Sequence, residues 1–181
     1  PAWLPLRAFR PGADPLLNFA EAITKTLTDF GEREAQGALK RTLLERWHSA
    51  LRDDDDELTD EGRAALVAEL EEQSDRLRGV ANRPSATILI SVDQAEELAR
   101  SDGESGQALA DYRRAAMGAS SPFRLAFTIR TDSFPELQAH PRFQELEARG
   151  YDLRTLPVFR FDDVVEHPAA RYGIDVDPAL T

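Results

Sequence analysis

The sequence predicts an α/β protein with a mostly parallel sheet and a helix-rich N-terminal half, and three observations carry this. Ala86-Thr87-Ile88-Leu89-Ile90-Ser91-Val92 is a continuous apolar, β-branched run of the kind buried on both faces in a parallel sheet. Phe123 to Ile129 is a second such run, and a helical pattern over Gln107–Met117 separates the two, which makes a βαβ unit. Before residue 81, apolar residues instead recur at helical spacing over three long segments.

Taken in order, Trp3 to Phe9 reads as a short strand closed by Arg10-Pro11-Gly12, a breaker. Asp14-Pro15 then starts a helix, with Asp as N-cap and Pro in the first turn, and Leu16, Phe19, Ala20, Ile23 and Leu27 carry it to Gly31. A second helix is expected over Glu32–Leu51 and a third over Asp60–Val80. The polar stretch Ser101–Gly106 reads as a loop. Tyr151–Leu156 is expected to be a weaker third strand, and Phe161–Glu166 a short helix halted by Pro168.

Composition excludes several classes. With 22 Lys+Arg against 33 Asp+Glu the net charge is -11, so a basic footprint for nucleic acid is missing. The acidity is local. Residues 53–75 hold eleven acids against one base, Arg63, and the remainder holds 22 acids and 21 bases. Asp53–Glu57, within an acidic segment 53–61, reads as a solvated loop, because negative charge there opposes the dipole of the helical pattern ending near Arg52, and as a calcium loop it fails because Leu58 stands where glycine is needed. The chain has no cysteine, which removes disulfides and thiolate chemistry. His48, His140 and His167 lack metal-ligand spacing. No apolar run approaches the roughly 18 residues of a membrane span. The expectation is a soluble, cytoplasmic chain with neither nucleic acid nor membrane as a partner.

Parallel strands joined by one crossover end on the same edge of the sheet, where open α/β sheets keep their ligands. That edge collects Asp93, Gln94, Glu96 and Glu97 after the first apolar run, and Arg130, Thr131 and Asp132 after the second. A carboxylate ending a buried strand can hold Mg²⁺, a nearby Glu can orient water, and an arginine can neutralise a transferring phosphoryl group. The bland alternative is that strand ends turn polar as they leave the core.

Ile88-Leu89-Ile90-Ser91-Val92-Asp93-Gln94-Ala95-Glu96-Glu97-Leu98 resembles the Walker B strand of the STAND class of P-loop ATPases, in the bacterial branch called novel STAND NTPases. Ala95 replaces the usual aromatic there. Arg10-Pro11-Gly12 with Asp14-Pro15-Leu16 resembles the segment soon after that family's phosphate loop, and Phe127 to Phe134 its sensor strand and arginine. Leu153–Pro157, then Val165 to Ala169 and Gly173, resemble the passage into the helical lid. The resemblance covers residues 1–173 in the family's order. It implies a three-layer P-loop NTPase-like core over residues 1–166, followed over 167–181 by the start of a helical lid or linker marked by Pro168. Asp93 would hold Mg²⁺, with Gln94 and Thr131 beside the nucleotide; Glu96 or Glu97 would serve the attacking water and Arg130 would sense the γ-phosphate.

The 181 residues contain no G-x-x-x-x-G-K-[ST], and both lysines, Lys25 and Lys40, fall inside helical patterns. The expectation is therefore a central fragment of a signalling ATPase, lacking the phosphate-loop strand between the sensor strand and the last one. In the full-length protein it would bind and hydrolyse Mg-ATP as a conformational switch, with flanking effector and repeat domains and possible homo-oligomerisation. Alone it would be inactive, with no cofactor bound. The alternative is a degenerate, non-catalytic interaction module that docks a basic partner through its acidic helical region. A hydrolase or phosphatase piece is a third option, without an identifiable nucleophile.

Overall fold

The computed structural model describes residues 2–33, 35, 37–51, 58–101, 103–117, 121–143, 149–153 and 161–176. The chain divides into two compact units, residues 1–146 and 147–181.

In the first unit, β1 (Trp3–Pro5), β2 (Thr87–Val92) and β3 (Phe123–Phe127) form a parallel sheet in the order β1-β2-β3. The sequence places β1 over Trp3–Phe9, but regular pairing stops at Pro5, whose nitrogen has no hydrogen to donate. Leu6 and Phe9 still donate to the carbonyls of Leu89 and Ser91, so the segment stays beside β2.

Helix α1 (Pro15–Asp29) begins as the Asp14-Pro15 signal predicts, with Asp14 Oδ1 accepting from the Leu17 amide at 3.1 Å. The same carboxylate accepts from Lys40 of α2 (Ala38–Ala50) and from Ser105 of α4 (Glu104–Ala116), so one cap ties three helices together. Helix α1 closes in a Schellman motif, with Gly31 at φ 89 and the Glu32 amide donating to the Leu27 carbonyl. Helix α2 (Ala38–Ala50) starts six residues later than the periodicity suggests, because Gly37 adopts φ 73, a left-handed conformation that breaks a helix. Glu32, outside the helix, pairs instead with Arg76 of α3 (Asp60–Val80).

Helix α3 has the predicted bounds. Thr59 caps the Gly62 amide at 2.9 Å, and Asp60 and Glu61 complement the positive end of the helix dipole. The preceding acidic run, residues 53–57, lies outside the described residues. Asn82, at φ 51, ends α3 in a second Schellman motif. Helix α4 (Glu104–Ala116) takes in part of the segment expected to be loop.

Ile88, Ile90 and Val92 point to one face of the sheet and share a core with Leu16, Ile23 and Leu27 of α1, Leu43 and Trp47 of α2, Leu66, Leu70 and Leu77 of α3, and Tyr112 of α4. Two polar side chains of this layer pair across helices. Tyr112 Oη donates to the Leu43 carbonyl at 2.8 Å, and Trp47 Nε1 donates to Asp111 at 2.9 Å.

On the opposite face, Trp3, Pro5, Arg124 and Ala126 are exposed and Thr87, Leu89 and Ser91 half-buried. Of the three layers implied by the resemblance, the described residues of this unit form the sheet and one helical layer. The cause is topological. Right-handed crossovers between strands that advance in one direction all fall on one face, and a second helical layer arises only where the strand order reverses.

After β3 a short helix, α5 (Phe134–Ala139), has no counterpart in the sequence-based expectations. In the second unit, residues 151–153 form no strand, contrary to expectation, and the side chains of Tyr151 and Leu153 are exposed; the rest of that predicted strand lies outside the described residues. Helix α6 (Phe161–Arg171) runs through Pro168, where a stop was expected, and ends in a third Schellman motif with Gly173 at φ 67. The missing proline N–H costs α6 one bond without ending it.

A Cβ on Gly62 would lie 2.0 Å from the Ala50 carbonyl oxygen, so only glycine lets α3 start against the end of α2. Gly62→Ala should lower stability by about 1–3 kcal/mol, read from the urea midpoint. Gly79→Ala, at a position where an added methyl group would meet nothing within 4 Å, should instead raise it by about 0.5–1 kcal/mol. Equal effects would contradict the close helix contact.

Candidate functional site

Register assembles the site. Val92 lies opposite Phe127 in the β2–β3 ladder, so the next residues, Asp93 and Thr128, meet where the two strands end. Thr128 Oγ1 donates to Asp93 Oδ1 at 2.6 Å and accepts from the Gln94 amide at 3.1 Å. The backbone continues the seam: the Thr128 amide donates to the Val92 carbonyl and the Ala95 amide to the Thr128 carbonyl, each at 2.9 Å.

On the other side of β2, a bridge between Phe9 and Val92 and a 2.8 Å bond from the Asp93 amide to the Phe9 carbonyl bring Arg10 alongside. Arg10 Nε donates to Asp93 Oδ2 at 2.9 Å. Both carboxylate oxygens are thus engaged, one by a hydroxyl and one by a cation. The Thr128 hydrogen bond, followed by that from Arg10, holds the Asp93 carboxyl below the usual aspartate range.

Gln94 adopts φ 56, ψ 52, a left-handed conformation that costs a non-glycine residue about 1–2 kcal/mol. It turns the chain sharply from β2 into a 3₁₀ helix, Ala95–Arg100. With its amide oriented to suit its neighbours, Gln94 donates to Glu97 Oε1 at 3.1 Å and accepts from Arg10 Nη2 at 3.3 Å. Glu97 Oε2 in turn accepts from the Gly12 amide at 2.8 Å. Arg10, Gly12, Asp93, Gln94, Glu97 and Thr128 therefore form one connected cluster at the carboxyl edge.

The two adjacent glutamates differ. Glu97 is half-buried and joins this cluster, whereas Glu96 is buried and its Oε2 has no hydrogen-bond partner. Arg130 and Thr131 lie just beyond the end of β3. Arg130 makes a two-pronged pair with Asp132, at 2.7 and 3.2 Å, and both side chains are exposed. That hydrogen bond, with the carboxylate's charge and the more distant charge of Glu96, raises the Arg130 pKa, and the same pairing lowers that of Asp132. Thr131 is exposed.

Of the residues singled out in the sequence, the fold gathers Asp93, Gln94 and Glu97; Glu96 turns inward and Arg130 is committed to Asp132. Sequence reasoning misses Arg10 and Thr128 as site residues. Thr128 can be found by extending the β2–β3 alignment one residue past Val92 and Phe127. Arg10 cannot, since its pairing with Asp93 spans 83 positions and leaves no local signal.

The Asp93 shift gives a test with a defined sign. A lowered folded-state pKa contributes stability above the ordinary carboxylate range, and this is lost as pH falls through the folded value. In carboxyl-carbon NMR titrations the wild-type Asp93 should titrate below an ordinary aspartate, and Thr128→Val should move it upward. An unchanged midpoint in the variant would contradict the assigned hydrogen bond.

The family model described as Novel STAND NTPase 1 matches residues 1–181. No curated protein and no solved structure gives a match. The parallel sheet, the sequence read along β2 into Leu98 and the family match over residues 1–181 agree: the chain belongs to the novel STAND NTPase family.

Proposed function

We propose that the carboxyl edge of β1, β2 and β3 is the catalytic face of a STAND-type ATPase that works as a conformational switch in a longer polypeptide. The observation that carries this reading is the cluster around Asp93, an aspartate ending the central strand of the described sheet with a hydroxyl and a carboxylate-bearing turn against it. Family membership supports an NTPase-type domain.

The donor set suits magnesium. Mg²⁺ is ordinarily bound through one or two carboxylates plus substrate phosphates, rather than by an all-protein cage. Asp93 supplies a hard oxygen at the strand end, and among the described residues no group of three or more acids or histidines could hold a metal by itself. The ion would arrive with the nucleotide, and it would supply neutralisation of phosphate charge during transfer. Asp93 would hold it, Thr128 would fix the carboxylate's orientation, and Gln94 and Thr131 would stand near the nucleotide. Glu97, already within the cluster, is better placed than the inward-turned Glu96 to orient a water. Arg130 would have to leave Asp132 to reach a γ-phosphate.

Because the 181 residues carry no phosphate-loop motif, the chain alone should give no measurable heat with Mg-ATP in calorimetry. Saturable binding would overturn the placement of the site. In a longer polypeptide that includes such a loop, Asp93→Asn should reduce Mg²⁺-dependent hydrolysis by about a hundredfold. Arg130→Ala should keep nucleotide binding and slow turnover. Wild-type rates in both variants would refute the roles assigned to Asp93 and Arg130.

A further inference from the structure

We infer that Arg10 is a cationic latch on Asp93, a positioning residue whose guanidinium excludes a divalent ion from that carboxylate until it is displaced. This rests on the reading of Asp93 as the metal-bearing group. The backbone places the latch: the Phe9 amide donates to the Ser91 carbonyl at 3.2 Å and the Asp93 amide to the Phe9 carbonyl at 2.8 Å, so Arg10 is delivered to the end of β2. Its Nε then takes Asp93 Oδ2 at 2.9 Å while Thr128 takes Oδ1 at 2.6 Å. A guanidinium on that oxygen and a divalent ion approaching it carry like charges and repel.

Two further features make this a device rather than a surface ion pair. The first is linkage to Glu97. Arg10 Nη2 meets Gln94, Gln94 meets Glu97 Oε1, and Glu97 Oε2 meets the Gly12 amide, so the turn that carries Arg10 also restrains the glutamate. Releasing the arginine therefore loosens a carboxylate that could orient water. The second is room to move. Arg10 is itself 60 % exposed and lines an open cleft of about 270 Å³ with Arg7, Asn18, Glu21 and Lys25. Glu21 there pairs with Lys25 at 2.6 Å and offers a displaced guanidinium another carboxylate.

The test uses Mn²⁺ alone as the probe, added to the isotopically labelled 181-residue chain, with paramagnetic broadening read at the amides of Asp93, Gln94, Ala95 and Thr128. Local readout separates this site from any ion held by the acids at 53–57. Arg10→Ala should reach half-broadening at about tenfold lower Mn²⁺ than wild type, and Arg10→Ala with Asp93→Asn should lose the gain. Arg10→Lys, which keeps a cation without the planar fork, should fall between and covers the case in which the alanine variant does not fold. Equal midpoints in wild type, Arg10→Ala and Arg10→Lys, with broadening abolished by Asp93→Asn, would overturn the latch and leave Asp93 as the metal group. Broadening at these amides that ignores Asp93→Asn would overturn both.

Discussion

The Asp93 carboxylate joins three stretches of chain that are remote in sequence. Thr128 lies 35 positions away and Arg10 lies 83 away, yet each contacts one of its oxygens. The arrangement depends on the parallel ladder beneath it, since parallel strands end together and put their exit residues side by side. It depends equally on the left-handed Gln94, which turns the chain off β2 so that Glu97 can reach back to Gly12. A strained residue held between an ion pair and a backbone hydrogen bond is the kind of feature that recurs at functional sites. Its surroundings determine the conformation from both sides.

The sheet's lopsided cover follows from the same topology. Each strand advances in one direction across β1, β2 and β3, and the helices between them bury Ile88, Ile90 and Val92 while leaving Trp3 and Arg124 on an exposed face. The helical layer is held by shared polar anchors as well as apolar contact. Asp14 is the clearest case, capping α1 while accepting hydrogen bonds from Lys40 and Ser105. The cluster at the carboxyl edge thus stands on a helical layer with its own polar anchors, and the exposed side chains of Arg10 and Arg130 lie at its rim.

Much of this is legible in the sequence. Asp14-Pro15 marks a helix start by capping chemistry, and the Asp93 step off an apolar run marks a strand end, because these signals are local. The misreadings have physical causes. Apolar periodicity starts α2 six residues too early because it does not register the left-handed Gly37. Helix α5 is too short to show a period, although Pro135 near its start is a usable sign. Pro168 has less breaking power in α6 than its chemistry suggests. The split between Glu96 and Glu97 depends on whether the segment coils at three or at 3.6 residues per turn, which sequence does not reveal. The Arg10 pairing depends on tertiary register and is invisible.

Whether the strand-end cluster acts as one unit comes down to the coupling between Arg10 and Asp93, and a double-mutant cycle in urea measures it most directly. The combined loss from Arg10→Ala and Asp93→Asn should be smaller than the sum of the two single losses, since either change alone breaks the shared contact. Strictly additive losses would show that the two side chains are independent neighbours, and the clasp at the end of β2 would not be what holds the edge together.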